Sequence, residues 1–205
     1  TDECNSPYKS PSSIGVNPWF IDLPTLFEKG LITAEELEGI ELISATGPGN
    51  FELDLVRAGQ LADPYYGDNI LALQKLEDRH LWYVTDFEIE ARKNAFPVLT
   101  FEGIDTVSEI YVDGTLLGKT ENMLISHTFS LEHLTPGAHQ LVVHILPSAI
   151  AARQYHIPAS CKAQAYNQDS LVLRKAPYMY GWDIMPRIVS GGLWKDVKII
   201  YKPKS

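Results

Sequence analysis

Residues 109–118, Glu109-Ile110-Tyr111-Val112-Asp113-Gly114-Thr115-Leu116-Leu117-Gly118, read as two short strands folded back about an Asp-Gly pair. Asp-Gly is the strongest short-range hairpin signal, because a two-residue turn matching the twist of its strands needs positive φ at both positions. Outward from it the apolar residues keep a period of two. In 82–89, Tyr83, Phe87 and Ile89 fall on one face and Asp86 and Glu88 on the other, the pattern of a half-buried strand. In 139–146, Leu141, Val143 and Ile145 alternate with Val142 and His144, and in 194–201 Val197, Ile199 and Tyr201 share a face. Segments 96–101 and 126–131 complete a set of short strands separated by Gly, Pro and Asp turns. The expectation is an all-β antiparallel sandwich of about eight strands.

The flanks read differently. Residues 1–17 are rich in Ser, Pro and Asn, have little to bury, and are expected to form a flexible tail. From 18 to 80 the signals are helical and short. Thr33 with Glu36 makes a capping box, and Gly30 and Gly39 read as stops. Asn50 is expected to cap a turn running to Gly59, and Asp68 to cap 68–78, where Ile70, Leu73 and Leu76 recur every third residue. The chain thus divides into a tail, 1–17, and one domain, 18–205, whose helical extension is 18–80. Within that domain, alternation stops at 149–192, where Arg153, Tyr155, His156, Arg174, Lys175, Tyr178, Tyr180, Trp182, Asp183 and Arg187 accumulate. Loops this long inside a compact domain are usually functional or disordered, and an aromatic, Arg-rich composition argues against disorder.

Composition removes several function classes. The 205 residues carry 17 basic and 26 acidic side chains, a net charge of −9, which argues against a nucleic-acid partner. No apolar run approaches the roughly 18 residues of a membrane span. Cys4 and Cys161 are too few and too far apart for a metal knuckle, and their pairing stays open. No phosphate loop, Gly-x-Ser-x-Gly elbow, His-Glu-x-x-His or Cys/His cluster is present, so neither cofactor nor metal is expected. No spacing singles out two carboxylates that would meet as a glycoside-cleaving pair, so no catalytic residue is assigned. His156, the one histidine in the unusual loop, suits a structural hydrogen bond better than catalysis. The chain opens at Thr1 with no leader pattern, consistent with a leader removed or a piece of a longer protein; its compartment stays open, the periplasm or cell exterior ranking ahead of the cytoplasm.

The aromatic, carboxylate and Arg side chains of 149–192 suit sugar recognition. A pyranose offers apolar C–H faces to aromatic rings and hydroxyls to carboxylates and guanidinium groups. Trp182 beside Asp183 meets both needs. The competing account has Trp182 packed between elements and Asp183 capping a turn.

An ordered series of motifs carries a family resemblance. Asp63-Pro64-Tyr65-Tyr66-Gly67-Asp68-Asn69, Trp82-Tyr83, Phe101-Glu102-Gly103-Ile104-Asp105-Thr106, Ile110-Tyr111-Val112-Asp113-Gly114 and Gly118-Lys119-Thr120-Glu121-Asn122-Met123 come first. Arg174-Lys175, Gly181-Trp182-Asp183 and Gly191-Gly192-Leu193-Trp194 follow. Together, from about Ala45 to Tyr201, they resemble the N-terminal sugar-binding domain of glycoside hydrolase family 2, in its β-mannosidase-like branch. The resemblance implies a galactose-binding-like jelly roll ahead of immunoglobulin-like domains and a (β/α)₈ barrel that holds the catalytic Glu pair. A barrel takes about 250 residues, so this chain is expected to be a non-catalytic part of such an enzyme. The resemblance further implies that the Gly-Trp-Asp loop enters the barrel's sugar subsite. By that likeness Trp182 would form wall and Asp183 bind hydroxyls. Arg174 is in turn expected to support Asp183. A terminal β-linked sugar, a mannoside first, and the rest of the parent chain are the expected partners. Here Ile184-Met185-Pro186 stands where the family usually has Trp-Gly-Pro, so one wall aromatic is absent. The alternatives are an autonomous carbohydrate-binding module and a purely structural domain.

Overall fold

The computed structural model describes residues 43–158, 160 and 165–204. The tail, the Thr33–Glu36 box with Gly30 and Gly39, Cys4 and Cys161 lie outside the described residues.

Seven strands are present among the described residues: β1 (Leu81–Ile89), β2 (Ala95–Phe101), β3 (Ser108–Val112), β4 (Thr115–Thr120), β5 (His127–Ser130), β6 (Gly137–Ile145) and β7 (Val197–Pro203). They form an antiparallel sheet in the order β1-β6-β3-β4 and a second in the order β5-β2-β7. The expected period of two is what builds the core. Tyr83 pairs with Val143, and Ile110 pairs with Val143 from the other side, while Val112 pairs with Leu141. These side chains meet Leu99, Phe101 and Ile199 of the second sheet, with Leu131, Ile104 and Leu193 filling the ends. Asp113 and Gly114 take φ of 50° and 77°, the positive pair that the Asp-Gly turn requires, and Val112 pairs directly with Thr115 across it. The chain is an all-β jelly-roll sandwich with few helices.

Two helical expectations change in detail. Helix α1 (Phe51–Arg57) follows Asn50, but the Asn50 side chain does not cap it; its Nδ2 instead donates to Ser190 Oγ at 3.3 Å, 140 residues away. The segment Asn69–Leu76 is a 3₁₀ helix, without a side-chain cap from Asp68. Residues i and i+3 eclipse in that geometry, so the spacing of Ile70, Leu73 and Leu76 fits it, and Leu73 is the buried one. The long segment 149–192 contains the end of the short helix α2 (Ser148–Ala152), 3₁₀ turns at Ala165–Leu171 and Pro177–Tyr180, and a doubled-back arm described next.

Candidate functional site

The arm runs from Lys175 to Ser190, and three contacts close it rung by rung. At its foot Lys175 Nζ donates to the Ser190 carbonyl at 2.6 Å. Midway Ile188 N donates to the Met179 carbonyl at 2.8 Å. At the tip Trp182 and Met185 exchange two backbone bonds of 2.9 and 3.1 Å, which leaves Asp183 and Ile184 as the turn residues. Gly181, with φ of 108°, supplies the left-handed conformation that lets the 3₁₀ turn Pro177–Tyr180 swing out into the tip.

The tip faces outward. Trp182 is 66% exposed and Ile184 94% exposed, and Asp183 is exposed between them. Among the described residues no side-chain hydrogen bond or ion pair engages the Asp183 carboxylate. Below the tip, Tyr180 is fully buried, and burial pushes its phenol up. The Arg187 guanidinium lies 5.3 Å from the centre of that ring. Arg187 also grips Glu77, with Nε at 2.9 Å from both carboxylate oxygens and Nη2 at 2.8 Å from Oε2, and reaches Asp169 at 3.2 Å. Burial alone would lower the guanidinium, but Glu77 and then Asp169 outweigh it and hold it above its ordinary value.

The foot stands on a buried polar network. The Lys175 side chain has no exposed surface, and its Nζ bonds Asp105 as well as Ser190. Thr106 Oγ1 donates to the same Asp105 carboxylate, across a cis peptide. Burial pulls the Lys175 ammonium below its ordinary value, against the opposing pull of Asp105 and Glu52. Glu52 of α1 is 3% exposed, and neither carboxylate oxygen has a hydrogen-bond partner among the described residues. Burial pushes its carboxyl up to about 7: the nearby Ser190 hydroxyl and local backbone, close but outside good hydrogen-bond geometry, and then Lys175 lower it only in part. Next to it, Asp54 accepts from Thr46 N at 3.0 Å and pairs with Arg57. Backbone bonds knit the layers: Gly49 N to the Leu193 carbonyl at 2.8 Å, Phe51 N to that of Gly191 at 3.0 Å, and Asp105 N to that of Gly192 at 2.9 Å. A Cβ on Gly192 would lie 2.8 Å from the Gly49 carbonyl oxygen, so only glycine permits this approach.

The residues singled out from sequence are placed as follows. Trp182 and Asp183 sit together at the tip, and the account that packs Trp182 between elements does not hold among the described residues. Arg174 is exposed at the foot, where its carbonyl accepts from Met123 N at 3.0 Å beside an Asn122–Arg174 bridge. It makes no ion pair with Asp183. Lys175, Asp105, Glu52 and the Arg187–Glu77 pair are the parts that sequence reading gave no role. Among the described residues no cluster of three or more His, Cys, Asp or Glu suits a metal ion, and no helix is long and apolar enough to cross a membrane.

Other exposed apolar side chains flank the arm. Leu171 and Tyr178 belong to it or its approach, and Leu124 and Ile125 follow Met123, whose backbone is bonded to Arg174 and whose carbonyl accepts from Trp194 Nε1 at 3.2 Å. Leu124 is 62% and Leu171 58% exposed, with Ile125 and Tyr178 about half exposed.

The profile of the family described as glycosyl hydrolase 2 galactose-binding domain-like matches residues 32–195. A β-mannosidase of Rattus norvegicus is 30% identical over 169 residues, which cover 77% of this chain and 19% of the rat protein. A β-mannosidase B of Emericella nidulans is 29% identical over 168 residues, 78% of this chain and 20% of that protein. Among solved structures, a β-D-mannosidase from Dictyoglomus thermophilum superposes with a TM-score of 0.69 at 34% identity, covering 78% of this chain and 20% of that one. An exo-chitosanase from Amycolatopsis orientalis, at 13% identity and a TM-score of 0.61 over 94% of this chain and 21% of its own, shares the fold. The chain thus spans about a fifth of the length of the relatives it matches.

Proposed function

Because the chain belongs to the glycosyl hydrolase 2 galactose-binding domain-like family, we propose that it is the accessory N-terminal domain of a retaining exo-glycosidase of the β-mannosidase type. In this reading the arm 175–190 carries Trp182 and Asp183 into the sugar pocket of a (β/α)₈ barrel elsewhere in the full-length protein. The barrel holds the catalytic Glu pair, and the exposed apolar side chains Leu124, Ile125, Leu171 and Tyr178 pack on the rest of that protein. The substrate is a terminal β-linked sugar, with a mannoside ahead of a galactoside or glucuronide.

One observation carries the reading: a flat apolar ring and a carboxylate without a side-chain partner among the described residues stand side by side on the exposed tip of a braced arm. An indole takes the C–H face of a pyranose, and a carboxylate accepts from two of its hydroxyls. Arg174, exposed at the foot of the arm, is assigned the supporting cation. Ile184 occupies a position where the family usually has an aromatic, so the pocket wall on that side is aliphatic.

The test is Asp183→Ala in the full-length enzyme. A charged hydrogen bond that strengthens in the transition state is worth on the order of 1.5–3 kcal/mol, so kcat/KM should fall at least about tenfold, which is about 1.4 kcal/mol. The melting temperature should barely move, because the carboxylate supports none of the core. Unchanged kcat/KM removes Asp183 from the pocket. A second measurement separates the classes: the isolated chain titrated with mannose and mannobiose should show little affinity, whereas an autonomous module would bind.

A further inference from the structure

We propose that Arg187 is a positioning residue for the sugar contact of Asp183: it fixes the height and orientation of the 182–185 turn without touching the sugar itself. The proposal rests on the reading of Asp183 as a sugar ligand. Its basis is where the guanidinium sits. Tyr180 is on the outgoing leg of the arm and Arg187 on the returning leg, and the guanidinium lies over the Tyr180 ring at 5.3 Å. Directly beneath, the Ile188–Met179 backbone bond ties the same two legs. Only residues 181–186 extend past this clamp, so whatever sets the clamp sets the tip.

The clamp is in turn bolted to the body. Glu77, which ends the 3₁₀ helix Asn69–Leu76, takes the guanidinium edge through three contacts of 2.8–2.9 Å, and Asp169 adds one at 3.2 Å. Glu77, 110 residues away, and the nearer Asp169 and Tyr180 therefore converge on one side chain. A planar fork suits this task where an ammonium does not, because it holds carboxylate, second carboxylate and ring in fixed directions at once. A pocket contact misplaced by about 1 Å can cost on the order of a hundredfold in rate, so a brace several residues from the contact has leverage over it.

The experiment is a double-mutant cycle in the full-length enzyme, read as kcat/KM on whichever of the nitrophenyl β-mannoside, β-galactoside or β-glucoside the wild type cleaves fastest. Arg187→Met should lower kcat/KM about three- to tenfold, and Arg187→Lys by nearly as much, since charge without the fork does not hold the turn. Added to Asp183→Ala, Arg187→Met should cost less than about a further twofold, because the residue it positions is already gone. Wild-type kcat/KM in Arg187→Met, full recovery in Arg187→Lys, or losses that multiply in the double variant would each overturn the proposal. An unaffected Asp183→Ala brings down the reading of Asp183 and this proposal with it; multiplying losses sink Arg187 alone. Should Arg187→Met fold poorly, Glu77→Gln loosens the same clamp while leaving arginine, Asp169 and ring in place. It should show a smaller loss that likewise vanishes in the Asp183→Ala background, and a loss that persists there counts against the proposal.

Discussion

Replacing Glu52 by Gln should stabilise the chain at pH 8 and leave it almost unchanged at pH 4. The side chain is 3% exposed with neither carboxylate oxygen hydrogen-bonded among the described residues. Burial moves its carboxyl from an ordinary 4.5 to about 7. The folded chain therefore keeps a proton that the unfolded chain has already released, so stability is full below pH 4.5, declines as the pH rises toward 7, and levels off above it. At about 1.4 kcal/mol per pH unit, a displacement of roughly 2.5 units puts the cost of ionised Glu52 near 3 kcal/mol. Glutamine has the same shape and no charge to bury, so Glu52→Gln should gain about 2–3 kcal/mol at pH 8, a rise in Tm of about 5–10 °C for a chain of this size. Urea unfolding followed by tryptophan fluorescence at pH 4, 5.5, 7 and 8 gives the whole curve. A variant less stable than wild type at pH 8 would refute the reasoning, since it would mean that Glu52 is ionised and held by Lys175 with a net gain.

Lys175→Met should be the opposite kind of change, losing about 3–5 kcal/mol because it strands Asp105 as an unpaired buried carboxylate; calorimetry on Lys175→Met and on Lys175→Met with Asp105→Asn, which should recover part of the loss, checks this. A loss under about 1 kcal/mol would show that the pair adds nothing. His139 has one ring nitrogen 2.7 Å from Asp113 Oδ2 and the other 2.7 Å from the Thr135 carbonyl. Burial alone would lower this imidazole, but Asp113 and Thr135 outweigh it and raise it above 6.5. Wild type should therefore exceed His139→Gln in stability fully below pH 6.5 and lose the advantage as the pH climbs through the raised value; an advantage that grows with pH would contradict the doubly protonated ring.

The sandwich was legible because each strand has one wet and one buried face, so Tyr83, Phe87, Ile89, Leu141, Val143 and Ile145 advertise the core at every second residue. The Asp113-Gly114 turn was legible because its chemistry is local. The network at the foot of the arm was not. Glu52, Asp105 and Lys175 come from three segments, and each is buried only because the others are there; no window of sequence contains that condition. Asn50 misled for a related reason: its side chain is turned to Ser190, 140 residues away, and the Oδ1 that would have capped the helix has no partner among the described residues. The apolar spacing of Ile70, Leu73 and Leu76 marks a helical face at Asn69–Leu76, but recurrence at every third residue fits an α-helix and a 3₁₀ helix alike, so the helix type was not legible. At the tip, Trp182 and Asp183 stood out by residue type alone, while Arg187 was one of many charged residues until Glu77 and Tyr180 came to surround it.

The stitching of residues 49–51 to 190–193 sets a timetable for biosynthesis. A ribosome releases the Asn50 segment some 140 residues ahead of Ser190, its partner. During that interval β1 to β6 can pair, but α1 has nothing to close against and the arm has no second stem. Closing so long a loop comes late and cooperatively, when both of its ends are in place. The arm consequently acts as a completion mark: a chain cut short before Arg187 can still form the sheet β1-β6-β3-β4, yet without Arg187 and Ile188 it presents no braced Trp182 and Asp183, so an unfinished domain cannot offer a finished tip to its neighbours.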